Sequence, residues 1–218
     1  MVKWNRESEY SNFYLYEDGV CAPDVWNNIE EKKILFILKE VDDPNNSFPG
    51  DFAKMTATCG NGWKTWARVA QWTDILLNNE LTHADREYRI DGRGNLRSEL
   101  FKHISIMNLS KFAGKGQTDG KYLIYAKKHI DLLEEQYNLI NPDITVFCCG
   151  NPGIELLKQF IHYEDFTPIV FEKIPKQGFF RVYTKNEKTL IFMRHPQWNY
   201  CSSIWNEKLL GYLKSINK

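Results

Sequence analysis

The sequence predicts an α/β fold with a mostly parallel sheet. Four short, almost continuously apolar runs, helical periodicities between them, and turn residues at the junctions carry that prediction. A run apolar on both faces of its pleat suits a strand covered on both sides, as parallel strands are. The first run is Ile34-Leu35-Phe36-Ile37-Leu38, entered from Lys32-Lys33. A helical pattern over 63–77 follows, with Trp63, Trp66, Ala70, Ile75 and Leu77 among polar residues. Residues 79–97 are polar, with Asp91-Gly92-Arg93-Gly94-Asn95, and read as an exposed insertion. The second run is Ile104-Ser105-Ile106-Met107-Asn108-Leu109. One long helix is expected over 122–140, with Ile124, Ile130, Leu133, Tyr137 and Ile140 as its stripe, stopped by Asn141-Pro142. The third run, over 143–150, is rich in β-branched residues and closes on Gly150. Asn151-Pro152 opens a short helix over 153–161. A hairpin is expected within 172–188, around Phe179-Phe180-Arg181-Val182-Tyr183, before the fourth run at 189–193. A helix over 203–216, with Ile204, Leu209, Leu210 and Leu213 inside, closes the fold.

Composition narrows the function. The 218 residues suit one domain, expected to span 1–218, and 43% apolar with 26% charged residues is globular usage. Lys plus Arg equals Asp plus Glu at 28 each, which excludes a histone-like polycation. The charge is uneven, with residues 1–100 net acidic and 101–218 net basic. Aromatic residues reach 14%, with seven Trp, and serve cores and stacking surfaces alike. No apolar run approaches the roughly 20 residues of a membrane helix. The opening Met1-Val2-Lys3-Trp4-Asn5-Arg6-Glu7 has no signal-peptide core, so a cytoplasmic location is expected. The five cysteines, at 21, 59, 148, 149 and 201, show no C-x-x-C spacing, so neither a metal site nor a disulfide framework is expected.

In open α/β sheets, ligands bind beyond the carboxyl ends of the strands. The first strand runs into Lys39-Glu40-Val41-Asp42-Asp43-Pro44. Glu40, Asp42 or Asp43 can orient a water or offset developing positive charge, and an acidic turn satisfying its own backbone is the competing reading. The second ends in Asn108-Leu109-Ser110-Lys111, where the Asn108 amide can read the edge of an amide-like ring or simply bond its own turn. Gly114-Lys115-Gly116 beyond it can approach a phosphate. The third ends in Gly150-Asn151-Pro152-Gly153, a tight turn without the G-x-G-x-x-G of a dinucleotide site. The fourth ends in Arg194-His195-Pro196-Gln197-Trp198-Asn199-Tyr200. There His195 can donate to a carbonyl or oxyanion, and Trp198 and Tyr200 can stack on or wedge between bases, or the group can be structural packing.

Taken in order over about residues 34–213, these strand ends resemble the uracil-DNA glycosylase superfamily. The matching segments are Ile34 through Pro44, Ile106-Met107-Asn108-Leu109, Ile140-Asn141-Pro142-Asp143 through Gly150, and His195-Pro196. The resemblance implies a three-layer α/β/α sandwich around a four-stranded, mainly parallel sheet. It implies hydrolysis of the N-glycosidic bond of a flipped uracil or other deaminated base, with DNA as partner and no cofactor. Asn108 would read the base, an aromatic such as Phe48 or Phe52 would stack on it, and His195 would hold the departing anion. Gln197, Trp198 and Tyr200 would enter the duplex, with Lys111 and Lys115 on phosphates. The chain departs from the pattern in its first motif, where Lys39 replaces the usual Gly and stands at the substrate. Glu40 matches the water-positioning residue counted from the strand and Asp43 counted back from Pro44, with Asp42 third. Gln197 replaces the usual Ser, and the cysteines do not match the iron–sulfur subgroup. The competing functions are a non-catalytic nucleic-acid or nucleobase-binding module on the same fold and an enzyme acting on free nucleosides. An interaction protein using the Trp-rich helix is a further alternative. No G-x-S-x-G nucleophile elbow is present.

Overall fold

Ile34, Phe36 and Leu38 belong to one buried apolar cluster, while Leu35 and Ile37 belong to a second. Alternate side chains of one strand thus enter two cores, so the sheet is covered on both faces. All five are 0–3% exposed, and each gains roughly 1.5–3 kcal/mol by leaving water. In the computed structural model the described residues are 16–42, 50–51, 64–84, 87–88, 96–114, 120–175, 178–197 and 202–216.

In chain order the strands are β1 (Tyr16–Glu17), β2 (Gly19–Val20), β3 (Ile34–Leu38), β4 (Val41–Asp42), β5 (Gly50–Asp51), β6 (Ile104–Asn108), β7 (Ala113–Gly114), β8 (Ile144–Phe147), β9 (Thr167–Ile174), β10 (Gly178–Lys185) and β11 (Lys188–Phe192). The helices are α1 (Pro23–Trp26), α2 (Lys64–Asn78), α3 (Leu96–Phe101), α4 (Lys121–Lys128), α5 (Ile130–Ile140), α6 (Asn151–Phe160) and α7 (Ser202–Ile216). The first core takes side chains from α2, α3 and α7, the second from α1, α4, α5 and α6. No helix among the described residues is long and apolar enough to cross a membrane.

The fold is α/β, but its sheet corrects the expected four-stranded, mainly parallel one. Seven strands run in the order β2-β6-β3-β8-β11-β10-β9. The inner block β6-β3-β8-β11 is parallel, whereas β2–β6, β11–β10 and β10–β9 are antiparallel. The extra strands have a local cause. A hairpin needs only a tight turn, so β9 and β10 reverse direction and extend the sheet beyond β11 without a crossover helix.

Two helical expectations also change. The long helix over 122–140 is two helices that meet at His129, whose φ of −117° and ψ of 31° leave the helical range. α4 buries Tyr122, Tyr125 and Ala126, so Ile124 faces solvent at 66% exposure instead of joining the stripe. Within 79–97, Tyr88 and Arg97 are buried. The Tyr88 hydroxyl donates to the Asp74 carboxylate on α2, and Arg97 Nη2 donates to the Tyr88 carbonyl at 2.8 Å. Residues 79–84 and 87 are exposed as the sequence reading expects, and only Tyr88 and Arg97 among the described residues of the segment are buried. The stop after α5 follows the sequence reading, with Asn141 in the left-handed region at φ 45° ahead of Pro142.

The order of the inner strands fixes where a ligand can enter. From β3 the chain passes through α2 and α3 on one face to β6, then back across β3 through α4 and α5 on the other face to β8. The direction of winding therefore reverses between β3 and β8. Their carboxyl ends diverge there and open a crevice.

Candidate functional site

A cavity of about 350 Å³ lies at that crevice, a size suited to a small ligand. Its wall is built from strand ends. Lys39 follows β3, Cys148 through Pro152 follow β8, and Met193, Arg194 and His195 follow β11. α4 adds Tyr122, α7 adds Trp205, and the β9–β10 hairpin adds Phe179 and Arg181. The amino end of α6 opens onto it, because α6 starts immediately after β8. Gly153 makes this close approach possible. A Cβ there would stand 2.7 Å from the Phe147 ring and 3.0 Å from Cys149 Cβ.

The charge of the wall is one-sided. Lys39, Arg181 and Arg194 line it, and no carboxylate does among the described residues. Lys39 Nζ sits 5.7 Å from the centre of the Tyr122 ring, a cation–π contact. Burial lowers the Arg194 guanidinium below its ordinary pKa, yet an arginine remains charged at neutral pH. Burial pushes the Cys149 thiol well up, Cys148 adds to this, and Lys39 opposes it. The thiol therefore stays protonated, and Cys149 Sγ faces the Ile37 carbonyl at 3.5 Å as packing. Burial likewise raises the Tyr122 hydroxyl, and its geometry points to the Cys149 carbonyl at 3.5 Å.

His195 lines the same wall. Burial, and then the positive charge of Lys39, pull its pKa down to about 4. The ring is neutral at physiological pH. The Gln197 backbone N–H donates to His195 Nδ1 at 3.3 Å, so the single ring proton belongs on Nε2. Nε2 has no hydrogen-bond partner among the described residues. A neutral imidazole of this tautomer, beside an ammonium, donates to an anionic oxygen or nitrogen without surrendering a charge of its own.

The other sequence-based residues divide into groups. Glu40 leaves β3 next to Lys39, is partly exposed, and acts electrostatically on Tyr122, but its side chain does not line the cavity. Asp42 lies in β4, whose parallel pairing with β7 sets it opposite Gly114 in a separate two-stranded sheet. Asn108 is the register partner of Leu38 at the end of β6 and is 1% exposed. Its side-chain Nδ2 and Oδ1 are buried with no partner among the described residues, an arrangement that costs about 1–3 kcal/mol until a polar group answers it. Asn108 does not itself line the cavity, so the structure sets it beside Lys39 on the neighbouring strand. Gln197 is exposed. Asp43, Phe48, Phe52, Lys115, Trp198 and Tyr200 lie outside the described residues.

Lys111 corrects the expectation of a phosphate contact. It is 1% exposed, and its Nζ donates to Asp18 Oδ1 at 2.7 Å and Gln136 Oε1 at 2.7 Å. Asp18 Oδ2 in turn accepts the Asn108 backbone N–H at 2.5 Å. The ammonium is consumed inside the fold, where it braces the end of β6.

Sequence reasoning missed four of the wall residues. Arg194 was visible in the Arg194-His195-Pro196 motif without a role. Arg181 was visible between the hairpin aromatics, and its alternation with Phe179 and Tyr183 was its signal. Tyr122 and Trp205 carry no local signal, because packing of α4 and α7 over the sheet brings them in. Neither the models of known protein families nor the curated proteins compared with this chain give a match.

Proposed function

We propose that this protein is a DNA glycosylase that hydrolyses the N-glycosidic bond of a flipped uracil or other deaminated base. The observation that carries the proposal is His195: a neutral Nε2–H donor beside the Lys39 ammonium, in a cavity with no described carboxylate. Cleaving a glycosidic bond to a base places negative charge on the departing ring. A wall of Lys39, Arg181 and Arg194 favours that charge, and His195 meets it with a donor. The unanswered amide of Asn108, one strand away, is the group available to read the base edge. Glu40, adjoining Lys39, is the described carboxylate nearest in sequence to position water.

A second reading has its own support. The missing carboxylate in the described wall also suits a module that binds a nucleobase or nucleotide without hydrolysis. One experiment separates the two. Labelled oligodeoxynucleotides carrying uracil, hypoxanthine or xanthine are incubated with the protein, and alkali reveals abasic sites. The glycosylase reading expects release that falls at least a hundredfold in His195→Ala and less steeply in Glu40→Gln, with both variants folded. Binding of the same oligonucleotides with no release from any of them overturns it in favour of the binding module.

A further inference from the structure

The β9–β10 hairpin carries an aromatic and cationic surface that extends beyond the cavity. Register pairs Phe171 with Arg181 and Lys173 with Phe179, so these four side chains share one face. The guanidinium carbon of Arg181 stands 4.9 Å from the ring centres of both Phe171 and Phe179, which are 5.1 Å apart and tilted by 38°. Phe171 is 63% exposed, an unusual position for a large apolar ring. Arg181 makes no ion pair among the described residues, and its buried Nε has no hydrogen-bond partner there. Phe179 and Arg181 also line the cavity, so the surface continues from the cavity mouth onto open sheet.

We infer that this hairpin is a platform for single-stranded DNA, with bases stacked on Phe171 and Phe179 and phosphates met by Arg181 and Lys173. The inference rests on the proposed reading that the cavity receives a DNA base. Three observations select this occupant. Exposed aromatic faces take bases that are not already stacked, which a duplex does not offer. The guanidinium held on the rings is an uncompensated cation within reach of the same ligand, matching a polyanion. The carboxylate of the hairpin on the opposite pleat, Glu172, is held by Lys208 on α7 and does not oppose an incoming phosphate. The hairpin thus guides a strand toward the cavity and favours a target already unpaired.

The test uses the full chain and a fluorescein-labelled 12-mer of deoxythymidylate, read by fluorescence anisotropy over a salt series. The single strand is expected to bind at least tenfold tighter than a duplex or an RNA strand of equal length. Phe171→Ala and Phe179→Ala are each expected to weaken it roughly tenfold, and Phe171→Trp to retain it. Arg181→Gln is expected to reduce the salt slope by about one. Thermal unfolding confirms that each variant is folded. Variants that bind like the parent, or a duplex or RNA bound as tightly as single-stranded DNA, overturn the platform. The same chains are assayed for base release on a uracil-containing strand. Variant-sensitive binding without release sinks the glycosylase reading and leaves the platform standing. Release with an unchanged KM in Phe171→Ala and Phe179→Ala removes the platform and leaves the glycosylase.

Discussion

Replacing Lys111 by Met tests whether the buried Asp18–Lys111 pair braces the sheet end that carries Asn108. Met keeps an unbranched apolar stem but removes the ammonium. It leaves the Asp18 carboxylate, 1% exposed, with two donors: Gln136 Nε2 at 2.8 Å and the Asn108 N–H at 2.5 Å. Burial lowers the Lys111 pKa and the Asp18 charge works against that, so each charge depends on the other for its place in the core. Removing one partner of such a pair costs about 3–5 kcal/mol. For a chain of this size that is a fall of roughly 6–20 °C in the midpoint of thermal unfolding. Circular dichroism on heating and urea titration give the value. The double variant Asp18→Asn with Lys111→Met removes both charges and is expected to recover at least half of the loss, because no uncompensated ion remains. A single-variant loss under about 1 kcal/mol refutes the reasoning, and so does a double variant as unstable as the sum of its parts.

Two further outcomes follow from the geometry around the cavity. Gly153→Ala forces α6 or the Phe147 ring to move from the 2.7 Å approach, and a loss of about 1–3 kcal/mol by urea titration is expected; an unchanged midpoint disproves the close fit. His195 is expected to titrate near pH 4 by NMR. Its folded pKa lies below the unfolded value near 6.5, so the unfolded chain binds the extra proton. Its contribution to stability is therefore whole above pH 6.5 and is lost as pH falls towards 4, by on the order of 3 kcal/mol in all. A His195→Gln variant should lack that slope, and a midpoint at pH 6 or higher contradicts the desolvated, cationic setting.

The inner sheet was legible because its strands are apolar on both faces. Ile34–Leu38, Ile104–Asn108 and Ile144–Phe147 lie where continuous hydrophobic runs put them. Edge strands were not, since β2 is only Gly19 and Val20, and β9 exposes much of its length. The break at His129 was hidden because a stripe at helical spacing continues across it. At the site, Lys39 and His195 were legible from their positions just past strand ends. The fate of Lys111 was not, because a lysine three residues beyond a strand reads as exposed until Asp18, 93 positions away, is seen to hold it. Arg181 and Trp205 reach the cavity through tertiary packing, which leaves no local pattern.

The chain is neutral as a whole, so attraction of an anion to this protein has to be local. Topology supplies it. The carboxyl ends of β3, β8 and β11 present Lys39, the amino end of α6, and Arg194 with His195 to one space, and no carboxylate among the described residues lines it. Such a pocket is poor at deprotonating water, because its described wall holds no base and His195 already titrates near 4. It is well suited to holding negative charge as it forms. Under the glycosylase reading, catalysis therefore rests on the departing base more than on the incoming water. Water attack on an oxocarbenium-like sugar needs little activation once the base has left. On that reading Lys39, at the end of β3, serves the leaving group and not the water.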